Sequence, residues 1–409
     1  MNFVIFFYCN VTISNCLLPY MTINNKGKIV FINQWTGYLM KDVINVFAER
    51  YDSIALITGH ISDLDKPLNE KVRIYRICKY NKKSILSRAL TWCLGTIQAL
   101  IYLKFRFRGY HIFYTSNPPI IAFTTLFLAN KYSVLIYDIY PDALIAGRFL
   151  TKNSLLCKLW EKHNTKYFSG AQNIFTLTDG MAVTMSQYCN TEKIKVIYPW
   201  SSGYKTRLID KSQNKFILAN ALENRFVVMY SGNIGLGHHV EKLLDIASQL
   251  KDHKEIIFLI IGEGWYKEKI KEGIESNNLF NCKLMPFQSS HMFEHSLQAA
   301  DIGVVSISKD LASLCIPSKT FNLINKEIPI LCISEGNSEL ATLITKYDIG
   351  KCFDPGQVIE MTKFIVTMRE KKEMVKKYKK NLRECYQYFT PDNSLMFIES
   401  WKDQVLDKN

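Results

Sequence analysis

The chain has 409 residues, 48% of them hydrophobic, 22% charged and 13% aromatic, with a mean hydropathy of -0.04. This excludes disorder, and nearly every apolar run breaks before the roughly 20 residues a spanning helix needs, which excludes a polytopic membrane protein; two or three globular domains fit the length. The net charge of +14 points to nucleic acid, an anionic membrane surface or anionic small molecules without choosing among them.

Residues 1–200 hold 23 Lys and Arg against 11 Asp and Glu, whereas residues 201–409 hold 28 against 26. Within the basic half, residues 66–108 carry 11 basic side chains and one acidic one, Glu70. That is either a solvated lysine-rich face or a domain that meets an anionic surface or substrate. The eleven cysteines are scattered without any Cys-x-x-Cys pair, as in a reduced protein. The eight histidines have no acidic or thiol partners at metal spacing, so no metal site is expected.

At the start, Val4 to Tyr20 is apolar and uncharged but lacks the basic segment and cleavage site of a signal peptide. Met21 precedes Lys26, Lys28 and the strand-like Ile29–Ile32. Translation is therefore expected to begin at Met21, with residues 1–20 an uncertain extension.

From there, short β-rich runs alternate with helical stretches, which predicts an α/β protein with parallel sheets. The first series of strands is Ile29–Ile32, Ile54–Thr58, Val72–Ile77, Ile112–Thr115, Val134–Ile139, Asn173–Leu177 and Lys195–Ile197. The second is Phe226–Tyr230, Ile256–Ile261, Cys282–Leu284, Ile302–Ser306 and Ile330–Ile333. Between them, the polar stretch from about Ser201 to Arg225 reads as a linker. Two such units place a cleft between them, with ligands at the carboxyl ends of the strands. The segment Ser84 to Phe105 is apolar around most of its circumference, and Lys82, Lys83, Arg88, Lys104, Arg106 and Arg108 accompany it. It reads either as a buried helix with solvated ends or as one that beds into a membrane surface.

The informative motifs lie in the second half. Phe226–Tyr230 runs into Ser231-Gly-Asn-Ile-Gly-Leu-Gly237 and then a helix from Val240 to Leu250. Glycines let backbone approach an anion, and a helix start offers free N–H groups, so the turn is either a phosphate cradle or a plain turn. It matches neither the dinucleotide fingerprint nor the Lys-containing P-loop. Next come Ile260-Ile-Gly-Glu-Gly264, Ala299-Ala-Asp-Ile-Gly303, Ile316-Pro-Ser-Lys-Thr-Phe-Asn322, Ser334-Glu-Gly-Asn-Ser-Glu339 and Phe353-Asp-Pro-Gly356.

In their order and intervals these motifs resemble the donor half of family 4 retaining glycosyltransferases, which have the GT-B fold. The subgroup is the one with Pro-Ser-Lys ahead of the donor helix, common among O-antigen and capsule enzymes. Thr115-Ser-Asn-Pro-Pro119, Tyr137-Asp-Ile-Tyr-Pro-Asp142 and Lys193–Trp200 look like that subgroup's N-terminal segments. The chain departs from the wider family where a Glu-x7-Glu pair would fall, at Leu314 and Asn322. It also lacks the glycine-rich loop after the first strand, where Asn33–Gly37 has one glycine. His238, His239 and Lys242 are the nearby candidates for the basic residues that usually follow the first turn.

The resemblance implies GT-B architecture, two Rossmann-like domains facing across a cleft. The boundaries expected are 21–205 on the acceptor side, a linker at 206–225, a donor domain at 226–388 and a helix crossing back at 389–409. It implies sugar transfer from a nucleotide diphosphate-sugar with retention, no cofactor and no metal. Lys319 would stabilise the departing diphosphate, with Ser318 and the turn at Gly232, Asn233 and Gly235. Gly262, Glu263, Gly264, Asn322 and Glu339 would border the donor, although loop glutamates also serve as caps. Asp138 would orient the acceptor hydroxyl or take its proton, Asn117 would face the cleft or simply close a turn, and Asp142 would border the acceptor or cap a helix. The implied acceptor is a lipid-linked saccharide, met at the inner face of the cytoplasmic membrane through Lys82, Lys83, Arg88, Lys104, Arg106 and Arg108. A non-catalytic donor-binding subunit and a nucleotide-sugar 2-epimerase are the alternatives. No nucleic-acid-binding module accompanies the charge.

Overall fold

The computed structural model describes residues 25–62, 66–81, 83–204, 207–235, 238–312, 314–335 and 338–401. The expected extension 1–20, the start at Met21, Lys82 and Gly237 lie outside the described residues. Two parallel sheets organise the rest. In chain order the strands are β1 (Asn25–Ile32), β2 (Trp35–Thr36), β3 (Tyr51–Thr58), β4 (His60–Ile61), β5 (Arg73–Arg76), β6 (His111–Thr115), β7 (Tyr132–Ile136), β8 (Ile174–Thr176) and β9 (Ile194–Val196). They continue with β10 (Phe226–Ser231), β11 (Ile256–Ile261), β12 (Cys282–Met285), β13 (Ile302–Ser306), β14 (Ile330–Ile333) and β15 (Gly350–Phe353).

The N-terminal sheet has the order β5-β3-β1-β6-β7-β8-β9 and the C-terminal sheet β12-β11-β10-β13-β14-β15; β2 and β4 pair separately. All pairings are parallel. Ile256–Ile261 is buried throughout, as a β-branched run covered by helices on both faces must be. In each sheet the strand order reverses beside its first strand, between β1 and β6 and between β10 and β13. At such a reversal the crossover helices leave to opposite faces and a crevice opens at the carboxyl ends.

Three local expectations change. The strand β15 was not legible: it is four residues long, begins with glycine and includes Lys351. Its first residue packs so closely on β14 that a Cβ at Gly350 would lie 1.9 Å from the Ile330 carbonyl oxygen. The stretch 206–225 is not simply a linker. It forms a short helix, Lys215–Ala219, whose start is capped by the Asn214 side chain, and Phe216, Ile217 and Leu222 are buried in the C-terminal core. The third change concerns the chain's end, where the helix is only Leu395–Glu399 among the described residues. It lies on the N-terminal domain, with Phe397 4.8 Å from Phe175 and Trp401 4.9 Å from Phe47, ring centre to ring centre.

The long helix spans Ile85–Phe105. Ser84 caps it, its hydroxyl accepting from the Ser87 N–H while the Ser87 hydroxyl accepts from the Ser84 N–H. It is not the buried helix of the first reading. Only Gly95, Ala99 and Leu103 are buried, one narrow stripe of small and apolar residues. Leu86, Leu90, Leu94, Ile97, Ile101 and Phe105 recur at helical spacing on the outer side, and Leu86 and Phe105 are 70% and 72% exposed.

Candidate functional site

The two glycine turns at the carboxyl ends of β10 and β11 interlock. The Gly232 N–H donates to the Ile261 carbonyl at 2.9 Å, Ile234 to Glu263 at 2.9 Å, and Tyr266 to Ile234 at 3.0 Å. Their approach needs missing side chains: a Cβ on Gly264 would sit 2.3 Å from the Ile234 carbonyl oxygen. The Tyr230 hydroxyl, at the end of β10, donates to the Asn233 carbonyl at 2.6 Å and fixes the turn from inside.

Lys319 is the first residue of the helix Lys319–Asn325. Its Nζ reaches back over the Tyr230 ring, 3.6 Å from the centroid, beside the Gly232 Cα. The amine is enclosed and has no hydrogen-bond partner among the described residues. Burial of an unpaired ammonium is costly, and this lowers the pKa of Lys319 from 10.5 to about 7. Asn322, one turn on, borders the same small cavity of about 40 Å³ with Ser231. Its Oδ1 accepts the Ser202 N–H at 3.3 Å, which ties the donor helix to the segment between the domains. Ser318, just before Lys319, makes no capping bond with its side chain.

The remaining C-terminal residues separate. His238 lies over β13, where the Ser306 hydroxyl donates to its carbonyl. Burial, then the Lys319 charge, lowers its pKa. His239 faces Glu241 at 3.6 Å and Lys242 pairs with Asp245 at 3.1 Å on the helix surface. Glu263 borders the interdomain cleft and pairs with Lys267 at 2.7 Å. Glu339 opens the helix Glu339–Tyr347 and lies against the N-terminal domain: burial raises its pKa, and a hydrogen bond from the Gly180 backbone works the other way.

The cleft, about 1250 Å³, is walled by both domains: Asn117 and Asp138 from one, Asn233, Gly235, Glu263 and Gly264 from the other. Asp138 follows β7, and the Ser116 hydroxyl accepts its backbone N–H at 3.1 Å and that of Tyr137 at 3.0 Å. The surrounding protein raises the Asp138 pKa by desolvation. Its charge reaches Cys315 of the other domain, adding to the burial that pushes that thiol up to about 12. Asn117 is held by the Gln34 N–H, which donates to its carbonyl at 2.9 Å. Asp142 does not share this space. It accepts from the Tyr188 hydroxyl at 3.1 Å and borders a separate recess with Arg148, Lys152 and Asp310.

The cations assigned to a membrane also divide. Lys83 and Arg88 line the cleft. Arg106 lies on the Tyr75 ring and donates to its hydroxyl at 2.8 Å, and Arg108 donates to the Lys104 carbonyl at 2.8 Å, near the far end of the helix. The cleft's aromatic lining, which includes Trp35, Tyr80, Trp92, Tyr140 and Phe287, was not legible from sequence order. The one available signal was Trp265, directly after Gly262-Glu-Gly264: it is 82% exposed at the cleft wall, a rare position for a tryptophan in a monomer's surface.

No family model matches the chain. Over 342 residues it is 22% identical to the probable glycosyltransferase WbjE of Pseudomonas aeruginosa, covering 81% of this chain and 84% of that one. Over 137 residues it is 28% identical to the putative colanic acid biosynthesis glycosyl transferase WcaI of Escherichia coli, 33% of each chain. Among solved structures it is similar to Anabaena HepE in complex with UDP and glucose, with TM-score 0.67, 14% identity and coverage of 91% and 99%. WaaG, a glycosyltransferase involved in lipopolysaccharide biosynthesis, gives TM-score 0.65, 12% identity and coverage of 91% and 100%. The fold is therefore α/β with two Rossmann-like domains, and its structural neighbours are GT-B glycosyltransferases.

Proposed function

We propose that this protein is a retaining, metal-independent glycosyltransferase of bacterial surface polysaccharide synthesis, of the kind represented by O-antigen and capsule enzymes. It moves a sugar from a nucleotide diphosphate-sugar to a lipid-linked saccharide at the inner face of the cytoplasmic membrane. The observation that carries this reading is the enclosed, unpartnered amine of Lys319 at a helix start, beside the Gly232 turn and at the β10–β13 reversal. An anion is what such a group lacks. As the bond from the anomeric carbon to the β-phosphate oxygen breaks, negative charge grows on the diphosphate, and Lys319 stabilises it. The acceptor oxygen attacks from the face the phosphate leaves, its proton passes to the departing phosphate, and Asp138 orients the hydroxyl. Glu263 and Asn322 border the donor; Asn117 and Asp138 border the acceptor.

Two observations support the membrane and lipid part: the exposed apolar residues Leu86, Leu90, Leu94, Ile97, Ile101 and Phe105 along the outer side of the Ile85–Phe105 helix, and the cations near both of its ends. Replacing Leu90, Leu94 and Ile97 together by Gln is expected to lower binding to phosphatidylglycerol vesicles at least tenfold. Burying apolar surface is worth about 25 cal/mol per Å² and all three side chains stand clear of the core. Vesicle co-sedimentation checks it; unchanged partitioning refutes the membrane assignment.

The function itself is tested by incubating the protein with a panel of nucleotide diphosphate-sugars, with and without membrane extract, in the presence of EDTA. The expected result is nucleoside diphosphate release from one donor that depends on the extract, with product of the donor's anomeric configuration. Donor binding without turnover would favour the non-catalytic subunit, the reading that Leu314 and Asn322 in place of a Glu pair would suit. Conversion of the free nucleotide-sugar would favour the epimerase.

A further inference from the structure

Two aromatic rings stand in the cleft without support from the fold. Trp265 follows β11 and its glycine turn and is 82% exposed; Phe287 follows β12 and is 54% exposed. Both line the cleft, and neither ring has an aromatic or cationic neighbour among the described residues. The backbone beneath them is fixed. Gly264 lies against the Ile234 carbonyl, and the Tyr266 N–H donates to that same carbonyl at 3.0 Å, so Trp265 is held from both sides. The Gly262 N–H donates to the Met285 carbonyl at 2.9 Å, which ties the end of β12 to the same turn. Strands β11 and β12 are neighbours in the sheet, and neighbouring strands lie about 4.8 Å apart. The two rings therefore rise from adjacent strand ends. A ring left in water adds nothing to the core, so the fold gives no reason for either.

The rest of the lining indicates what such a platform meets. Asn117, Asp138 and Asn233 bring polar groups to the same cleft, whereas Lys319 and Asn322 border a different cavity. At about 1250 Å³ the cleft exceeds the roughly 300–1,000 Å³ of pockets that enclose one small ligand. A pyranose suits this lining. One face of its ring presents C–H groups, which lie favourably on the negative face of an aromatic ring, and its rim presents hydroxyls. A nucleobase would also stack, but the diphosphate that carries it belongs with Lys319 in the other cavity.

We propose that Trp265 and Phe287 form a stacking subsite for an inner sugar of the acceptor, next to the sugar whose hydroxyl reaches Asp138. The acceptor is then an oligosaccharide of at least two sugars. This rests on the reading of the protein as a glycosyltransferase. Glu263 and Trp265 share one turn, which separates the donor from the acceptor.

The full chain is assayed for nucleoside diphosphate release at a saturating level of the donor found in the panel, with membrane extract titrated. Trp265→Ala is expected to raise the extract concentration for half-maximal rate at least tenfold while kcat falls less than threefold. Phe287→Ala should raise it severalfold, and Trp265→Phe, which keeps a ring, should stay within threefold of the parent. Nucleoside diphosphate affinity and Tm should not change in Trp265→Ala. A second readout requires no turnover. Saccharides released from the extract by mild acid are separated by length, and acrylamide quenching of Trp265 fluorescence is taken as the difference between the parent and Trp265→Phe. Fractions of two or more sugars should shield Trp265, and single sugars should not. An unchanged half-saturation in Trp265→Ala overturns the proposal, and so does the absence of shielding or equal shielding by single sugars. Lost nucleoside diphosphate affinity in Trp265→Ala also overturns it, since the ring would then carry the nucleobase. Shielding by oligosaccharides in a protein that turns over no donor would leave the subsite standing and remove the transferase reading.

Discussion

Lys319→Met is expected to lower kcat by about 10²–10³ and to leave the fold intact. The size follows from position. The amine is enclosed, rests on the Tyr230 ring at 3.6 Å, and has no hydrogen bond to lose among the described residues. Its worth is therefore realised only when an anion arrives. Burial holds its pKa at about 7, so at pH 8 the free protein carries it mostly neutral. A diphosphate beside it favours the charged form, and nucleotide binding takes up a proton. Affinity for the nucleoside diphosphate is thus expected to rise as the pH falls from 8 towards 7. Calorimetry in buffers of different ionisation heat counts the proton, and Lys319→Met should abolish the uptake. A variant that turns over at the parent rate refutes the diphosphate role.

The same shift has a definite sign for stability. The folded value lies below the unfolded 10.5, so between about pH 7 and 10.5 the unfolded chain binds the extra proton. The contribution of this group to stability grows as the pH rises across that window and is constant below it. Replacing a buried, unpartnered amine by a methionine of similar length should therefore keep the thermal midpoint or raise it. Lost activity with retained stability is what distinguishes a functional lysine from a structural one.

Much of the donor half was legible because its signals are local. A strand, a glycine turn and a helix start follow one another within about sixteen residues from Phe226 and within a dozen from Ile256, and the glycines of the second turn, Gly262 and Gly264, answer backbone approaches visible in the structure. The position of Lys319 at a helix start was legible for the same reason. Its enclosure was not, since it depends on Tyr230, nearly ninety residues earlier in the chain. The long helix shows the opposite limit. It is apolar nearly all round, so periodicity assigns it no inner face. Packing selects Gly95, Ala99 and Leu103, the stripe whose small side chains let the helix sit close; a Cβ on Gly95 would already meet the Gln34 side chain at 2.5 Å. The larger residues were left outside. Lys83 and Arg88 were read with the membrane cations because sequence order alone cannot say which side of a helix faces a cleft. The separation of Asp142 from Asp138 has a similar origin: four residues apart, they lie on either side of Pro141, where the chain turns into the helix Asp142–Ala146.

Gly262→Ala and Gly232→Ala are expected to fail in different ways, and the difference tests how the donor turn is built. Both residues have similar backbone angles, φ +159° and +153°, so the conformational penalty is common to both. What a methyl group meets is not. At Gly262 it would lie 1.9 Å from the Gly232 carbonyl oxygen and 3.0 Å from the carbonyl carbon, both backbone atoms. The two turns must then move apart, breaking the bonds from Gly232 to Ile261 and from Ile234 to Glu263. Overpacking of about 1–3 kcal/mol and two hydrogen bonds of about 1 kcal/mol each give a loss of roughly 3–5 kcal/mol. For a domain of this size that is on the order of 10 °C in Tm, with donor binding lost. At Gly232 the new methyl instead meets the end of a side chain, the Lys319 Nζ at 2.8 Å. The lysine swings away and the turn survives. Gly232→Ala should therefore lose only the shared backbone cost of about 1–3 kcal/mol, a smaller fall in Tm than Gly262→Ala, while weakening nucleoside diphosphate binding and removing its proton uptake, as Lys319→Met does. Thermal unfolding and calorimetry on the two variants decide it. Equal destabilisation would mean that the turns do not interlock as described, and a fully active Gly232→Ala would mean that the contact between this glycine and Lys319 does not position the amine for the diphosphate.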